Sequence, residues 1–215
     1  QAAICDAYRL DADPRRLLQA RAQLIDQVLG DLWREIEIPA SLALVAVGGY
    51  GRQELYPASD VDVLLLLPEA PDDCLIAQLE EAVTLLYDLG LEIAPSVRTV
   101  AECVRGASAD LTIQTALLEA RLVAGNQELF QVFADQLARV LDTHAFFEAK
   151  RKEQEERHLR YYGSPYALEP NCKEAPGGLR DLQTILWVAR AARYGDTWED
   201  LAQQGFITRE EKEQL

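Results

Sequence analysis

A chain of 215 residues that is 49% hydrophobic and 27% charged has the composition of an ordinary globular protein, large enough to bury a real core. Its formal charge of −15, from 36 acidic and 21 basic residues, is the reverse of what a phosphate-gripping nucleic-acid binder carries, so no DNA or RNA partner is expected. No apolar run approaches the roughly 18 residues of a membrane helix and no basic-then-apolar leader opens the chain, so a cytoplasmic protein without a membrane partner is expected.

In chain order, Asp13-Pro14 reads as an N-cap followed by proline at the first helical position, and leucines, isoleucine and valine recur at helical spacing to about Trp33. Pro39 breaks that pattern. Leu42 to Val47 has strand length, and Gly48 to Ser59 reads as a loop with one helical turn at Tyr50 to Leu55. Val61 to Leu67 is a second strand, ended by Pro68; a helix from about Asp73 to Asp88 stops at Gly90. "LEIAPSVRTV" is the third strand, with Pro95 marking an edge or a bulge. Helices then fill roughly 100–106, 110–123, 126–140 and 142–160. The Pro- and Gly-rich loop "YYGSPYALEPNCKEAPGG" precedes a last strong helix from Leu179 to about Tyr194. Strands confined to the first hundred residues and helices beyond them spell an α+β class. The expected division is a helical segment at 1–39, an α+β core with a small mixed sheet at 40–105, and a helical domain at 106–215. The absence of methionine, the opening on Gln1 and an ending inside an apparent helix from Thr208 raise the expectation of a piece cut from a longer protein. The cysteines (Cys5, Cys74, Cys103, Cys172) form no CxxC pair and read as reduced thiols.

The stretch "VAVGGYGRQELYPASDVDVLLLL" carries the chemistry. Residues two apart share a strand face, so Asp60 and Asp62 point the same way while Val61 and Val63 point the other. Adjacent carboxylates repel, and one is expected to hold a proton at neutral pH unless a divalent cation sits between them. Magnesium suits such a pair, taking one or two carboxylates together with substrate phosphates, and the leucines that follow would anchor the pair in the core. Gly48 and Gly49 would let backbone N–H groups approach an anion, and Arg52 could add a charged contact. Ser59, just ahead of the first aspartate, joins these nucleotide-binding candidates. A phosphate cradle beside a metal pair is the equipment of nucleotidyl transfer from a triphosphate.

The same residues carry a resemblance. "GG…DVD" is similar to the signature of the DNA polymerase β-type nucleotidyltransferase superfamily. "AVGGYGRQELYPASDVDVLLL", "LGLEIAPSVRTVAEC", "ADLTIQTALLEARLVAG" and "YALEPNCKEAPGGLRDLQTILWVA" together resemble the amino-terminal catalytic region of the bacterial P-II protein uridylyltransferase/uridylyl-removing enzymes, over about residues 40 to 200. The resemblance implies a polymerase β-like domain, preceded by a helix and followed by a helical domain. It implies transfer of UMP from UTP to a tyrosine hydroxyl of the P-II nitrogen-regulatory protein, with Mg2+ or Mn2+ and with glutamine as the regulatory signal. It maps the metal ligands onto Asp60 and Asp62 and the phosphate-binding glycines onto Gly48 and Gly49. The superfamily's third carboxylate comes from a later strand, whose only acid here is Glu92; Asp110 is the alternative, although "SAD" before a helical run is an N-cap pattern.

Gly177 and Gly178 precede a helix, and with Asn171, Lys173 and Arg180 nearby they form a second candidate anion site, in the helical domain that by resemblance closes over the nucleotide. The alternative is a structural loop in which Arg180 and Asp181 pair with neighbours. The family's removing activity needs a His-Asp hydrolase domain; His144 and His158 are each followed by another residue, so that activity is not expected in this chain, and both histidines read as helix-surface residues. Two other readings stay open: a nucleotide-binding regulatory module without catalysis, and a related nucleotidyltransferase with another acceptor.

Overall fold

The computed structural model describes residues 8–9, 12–36, 38–161 and 171–214. They fall into two compact units, Gln1–Val140 and Leu141–Leu215.

The first unit opens on α1 (Pro14–Glu35). Its start follows the expected chemistry: Asp13 Oδ1 accepts from the N–H groups of Arg15 at 2.9 Å and Arg16 at 3.3 Å. Leu18, Ala22, Ile25 and Leu29 recur three or four residues apart and form its buried stripe. Next come β1 (Ala43–Ala46), the four-residue turn α2 (Gly48–Gly51), β2 (Val61–Leu67) and α3 (Asp73–Asp88), the last capped by Asp72, whose Oδ1 accepts from Leu75 N at 2.8 Å. β3 (Ile93–Thr99) leads into α4 (Val100–Ala109) through a reciprocal capping box between Thr99 and Glu102. α5 (Leu111–Leu118), β4 (Arg121–Gly125) and α6 (Gln127–Val140) complete the unit.

The sheet order is β3-β2-β1-β4, with β1 antiparallel to β2 and β4 and with β2 parallel to β3. The α+β class with a small mixed sheet is therefore the architecture, and Pro95 lies on an edge strand as expected. Central β2 is buried on both faces. Val61, Val63, Leu65 and Leu67 pack with Leu29 of α1 and with Leu79 and Leu86 of α3. Leu64 and Leu66 pack on the other face with Val100, Cys103 and Phe133 of α4 and α6. The near-continuous apolar run "VDVLLLL" is the sequence of such a two-sided strand, and its one polar residue is Asp62.

The sequence reading differs from the structure in two places. The helix expected over 110–123 ends at Leu118, and residues 121–125 form a fourth strand instead. Pairing with β1 overrides the helical pattern, and Gly125 makes it sterically feasible: at φ +92° a Cβ there would lie 2.5 Å from Leu42 O. In consequence residues 106–140, expected in the helical domain, pack on the sheet within the first unit. The helical turn expected at Tyr50 to Leu55 starts two residues earlier, at Gly48.

The second unit comprises α7 (Thr143–Arg160), α8 (Leu179–Ala191), α9 (Trp198–Gln203) and α10 (Arg209–Gln214). Phe146 of α7 and Trp187 of α8 are buried, and Lys150 Nζ lies 4.4 Å from the Trp187 ring centroid. No helix among the described residues is long and apolar enough to cross a membrane.

Two glycines of the first unit should respond oppositely to alanine. Gly30, inside α1, has nothing within 4 Å of an added Cβ, so Gly30→Ala should raise stability by about 0.5–1 kcal/mol through helix propensity. At Gly51 a Cβ would lie 2.1 Å from Glu119 O and 3.1 Å from Ala46 O, so Gly51→Ala should lose about 1–3 kcal/mol or more to overpacking. Urea unfolding of both variants reads the two signs directly.

Candidate functional site

The site lies where β1 ends and β2 begins. Val47 N donates to Asp62 O at 3.1 Å, so the first residue past β1 sits opposite the second aspartate. From there the chain turns at once. Gly48 takes φ +56°, a left-handed conformation that suits glycine, and Gly51 N and Arg52 N donate to Val47 O and Gly48 O at 3.0 and 3.1 Å. An added Cβ at Gly48 would lie 3.2 Å from Asp62 Oδ2, so the carboxylate has room on that side only because position 48 carries no side chain.

Asp62 is half-buried and Asp60 is exposed just before the strand begins. Alternation along β2 puts Asp62 on the face of Leu64 and Leu66, and the charge of Asp60 acts on it from just before the strand. Burial pushes the Asp62 carboxyl above its ordinary range, and the Asp60 carboxylate beside it pushes further in the same direction. Among the described residues no cation pairs with either aspartate. A half-buried carboxylate with a like charge beside it and a side left open by a glycine suits magnesium, which takes one or two carboxylates plus phosphate oxygens.

The other sequence candidates fall elsewhere. Glu92 precedes β3 and is exposed, with its carbonyl accepting from Val61 N at 2.7 Å. The parallel register sets Ala94 beside Asp62 and Ser96 beside Leu64, so β3 contributes no acid there. Among the described residues no group of three or more His, Cys, Asp or Glu side chains could hold a metal. Ser59 and Glu92 line a cavity of about 160 Å³ with Arg21, Leu24 and Leu91, on the α1 side of the sheet. Asp110 is the N-cap of α5, accepting from Thr112 N at 2.7 Å and Ile113 N at 2.9 Å.

Arg52, expected to add a charged contact to a phosphate, is tied internally. Its Nε donates to Glu54 Oε2 at 2.9 Å and its Nη1 to the buried carboxylate of Glu119. Burial pulls the guanidinium's pKa down, but Glu119 and then Glu54 outweigh it and hold the value above normal. The loop that follows is held tightly as well: Gln53 and Ala58 adopt φ of +62° and +61°, left-handed conformations that cost about 1–3 kcal/mol each outside glycine.

The second candidate anion site is likewise committed to its own loop. The first amides of α8, those of Leu179 and Arg180, donate to Cys172 O and Lys173 O, each at 2.9 Å. Asn171 Oδ1 accepts from Lys173 N and Glu174 N at 3.0 and 2.9 Å, while Arg180 reaches Gln183 Oε1 at 3.1 Å and stacks on Trp187. Lys173 is exposed. Asp181 is the loop's anchor, accepting from Gly177 N at 2.7 Å and Gln154 Nε2 at 2.9 Å and pairing with Arg157. His158 Nε2 lies 2.9 Å from both Asp181 oxygens, so this histidine is tied into the unit and is not a bare surface residue. The residues 162–170 of this motif lie outside the described residues.

Sequence reasoning missed Asp26, Glu119 and Arg121. Arg121 grips Asp26 through two contacts of 2.9 and 3.0 Å, and Tyr50 Oη donates to Asp26 Oδ1 at 2.6 Å. The signal for two of them was present, an acid and an arginine set in the apolar run "ALLEARLVAG".

Comparison with known proteins bears on this geometry. Residues 145–215 match the family described as GlnD PII-uridylyltransferase. A bifunctional uridylyltransferase/uridylyl-removing enzyme of Cupriavidus pinatubonensis is 51% identical over 208 residues, which is 97% of this chain and 24% of that protein. Enzymes of the same name from Bordetella avium and Cupriavidus metallidurans are 53% and 54% identical over 214 and 191 residues, covering 100% and 89% of this chain and 25% and 22% of their own. The resemblance read from the motifs runs through the whole chain. This chain spans about a quarter of the length of these curated relatives. A solved structure described as a toxin-antitoxin with AMP-PNP aligns with 60% of this chain and 93% of its own at 21% identity, with a TM-score of 0.36, too slight a likeness to carry an argument.

The raised carboxyl of Asp62 gives a signed prediction. A carboxyl raised in the folded state holds its proton more tightly there than in the unfolded chain, so its contribution to stability is present at low pH and is lost as pH rises through the folded value. At neutral pH without metal, Asp62→Asn should therefore melt at or above the wild-type temperature, with the difference shrinking as pH falls. Magnesium should raise the melting temperature of the wild type and not of the variant. A variant markedly less stable at neutral pH would show that Asp62 holds the fold together.

Proposed function

We propose that this chain carries a uridylyltransferase site, which moves UMP from UTP to a tyrosine hydroxyl of the P-II signalling protein and releases pyrophosphate. The observation that carries the reading is the Asp60–Asp62 pair, without a cationic partner among the described residues, beside an open glycine turn, in a chain 51% identical to enzymes of that name. In the reaction the tyrosine oxygen bonds to the α-phosphorus, the bond from that phosphorus to the pyrophosphate oxygen breaks, and the hydroxyl proton leaves to a base. Asp60 and Asp62 would hold Mg2+ or Mn2+, which supplies charge neutralisation at the phosphates and at the leaving oxygen. Gly48 leaves the space beside the Asp62 carboxylate clear, and Gly49 would let the turn's backbone approach the triphosphate. Glu92, the residue just ahead of β3, is the acid this reading assigns as base or further ligand. A cytoplasmic location without a nucleic-acid partner accords with the −15 charge.

A second reading has its own observation. With Ala94 beside Asp62, the paired residues of β3 supply no third carboxylate of the kind the resemblance implies, which favours a nucleotide-binding module without catalysis. Transfer of labelled UMP from UTP, with ATP in parallel, to P-II protein in magnesium or manganese separates the two. Binding without transfer would select the module, and transfer to a different protein would select another acceptor.

Asp60→Asn and Asp62→Asn should each abolish transfer. Losing a group that only orients a metal ligand costs roughly 10–100-fold, so losing a ligand itself should cost more. Near-native activity with ordinary metal dependence in either variant would mean the site lies elsewhere. The chain has no His-Asp dipeptide, so incubation with uridylylated P-II protein should release no UMP, with or without glutamine; release would overturn the assignment of activities.

A further inference from the structure

A turn of four residues cannot hold its own shape. α2 has no side-chain cap at Val47 and only two hydrogen bonds of helical spacing, yet it sets the position of Gly48 against Asp62. What grips it comes from a segment some seventy residues later in the chain. Glu119, only 3% exposed, holds Arg52 at the turn's end through its carboxylate, and its carbonyl fills the space beside Gly51. Two residues on, Arg121 Nε donates to Gly51 O at 3.3 Å and Nη2 to Tyr50 O at 3.4 Å, so one guanidinium reaches two of the turn's last carbonyls, the second of which also accepts from Gln53 N at 3.1 Å. The same guanidinium is oriented by Asp26 of α1 and lies 5.4 Å from the centroid of the Tyr50 ring.

We propose that the segment Glu119–Arg121 is a positioning strap for the glycine turn, with Glu119 acting through Arg52 and Arg121 acting on the turn's carbonyls, so that the space beside Asp62 is shaped before any nucleotide arrives. Arg52 is then a strut between the turn and β4, and its charge is spent on Glu54 and Glu119. The strap rests on the proposed function for the identity of its ligand, but its effect on the turn is measurable without one.

The experiment has two arms. In the first, hydrogen exchange of the unliganded protein compares wild type with Glu119→Gln. The amides of Gly51 and Arg52 should gain more in exchange rate than those of β2 in the variant; unchanged exchange at the turn, or an equal gain over the whole unit, overturns the strap. In the second, UTP binding in magnesium is measured for Arg52→Gln, Glu119→Gln and the double variant, which removes both charges and leaves none buried alone. Affinity should fall roughly 10–100-fold in each single variant, the usual cost of losing an orienting group, and the double variant should be no weaker than the worse single one. Binding of uridine, which lacks phosphates, should not change. Additive losses would mean that Arg52 meets the triphosphate on its own, and would overturn the strut. Absence of UTP binding in the wild type would sink the proposed function and leave the exchange arm to decide the strap.

Discussion

Two like charges sit at the start of one strand, and the fold keeps them there. Asp62 is half-buried, its carboxyl is raised by burial and by Asp60, and no described cation offsets the pair. In the metal-free protein this is a cost, and it is met by the rest of β2. Five of the seven residues of that strand follow as Val-Leu-Leu-Leu-Leu and are buried on both faces, between α1 and α3 on one side and α4 and α6 on the other. Each such side chain is worth about 1.5–3 kcal/mol when fully buried. Against that anchorage the repulsion of one carboxylate pair is too small to displace the strand. A rigid strand with a destabilising pair at its edge is what a site needs if a cation is to be recruited by electrostatics and not by a preformed cage.

The turn above the aspartates solves the opposite problem. β2 is rigid because it is central, whereas α2 is too short for internal cooperativity and must be held from outside. Its supports come from Glu54 just beyond the turn and from two distant places, Asp26 on α1 and Glu119 with Arg121 at the start of β4. Truncating one partner of a buried ion pair costs about 3–5 kcal/mol because the other charge is stranded. The Arg52–Glu119 pair, 13% and 1% exposed in its side chains, is of that kind, and it is therefore better suited to fixing geometry than to exchanging partners with an incoming phosphate. The left-handed backbone at Gln53 and Ala58 accords with this, since such conformations persist only where the surroundings impose them.

What the sequence made legible followed from local rules. The N-caps Asp13 and Asp110, the apolar run of a strand buried on both faces, and Pro95 on an edge strand depend on residues only a few positions apart. What it hid depended on long-range pairing. Residues 121–125 read as the tail of a helix because their apolar spacing suits one; they are a strand because β1 offers an unpaired edge. Without β4 in view, Glu119 and Arg121 had no reason to be near the glycines, and Arg52 had no visible partner. The loop at 171–178 left two readings open for a related reason. Two glycines before a helix suggest free amides, but whether amides are free depends on where the preceding carbonyls go, and here Cys172 and Lys173 fold back to accept from Leu179 and Arg180.

The three glycines of "GGYGR" show how differently one residue type can be required. Gly48 combines a left-handed φ with the Asp62 carboxylate 3.2 Å from where a Cβ would stand, so it links backbone conformation to the shape of the site. Gly49 would set its Cβ 3.6 Å from Glu54 O, an ordinary contact, so steric fit within the protein does not demand a glycine there. Gly51 is the most constrained, with the Glu119 carbonyl in the place of its side chain, and this constraint belongs to packing alone. A motif that reads as one phosphate-binding signature therefore separates into a residue set against Asp62, a residue that the fold does not require to be glycine and a residue that lets Glu119 close against the turn. Only the second of these would leave the unliganded fold unchanged on substitution by alanine, and on that ground Gly49 is the position where an effect on activity would speak most directly of a bound nucleotide.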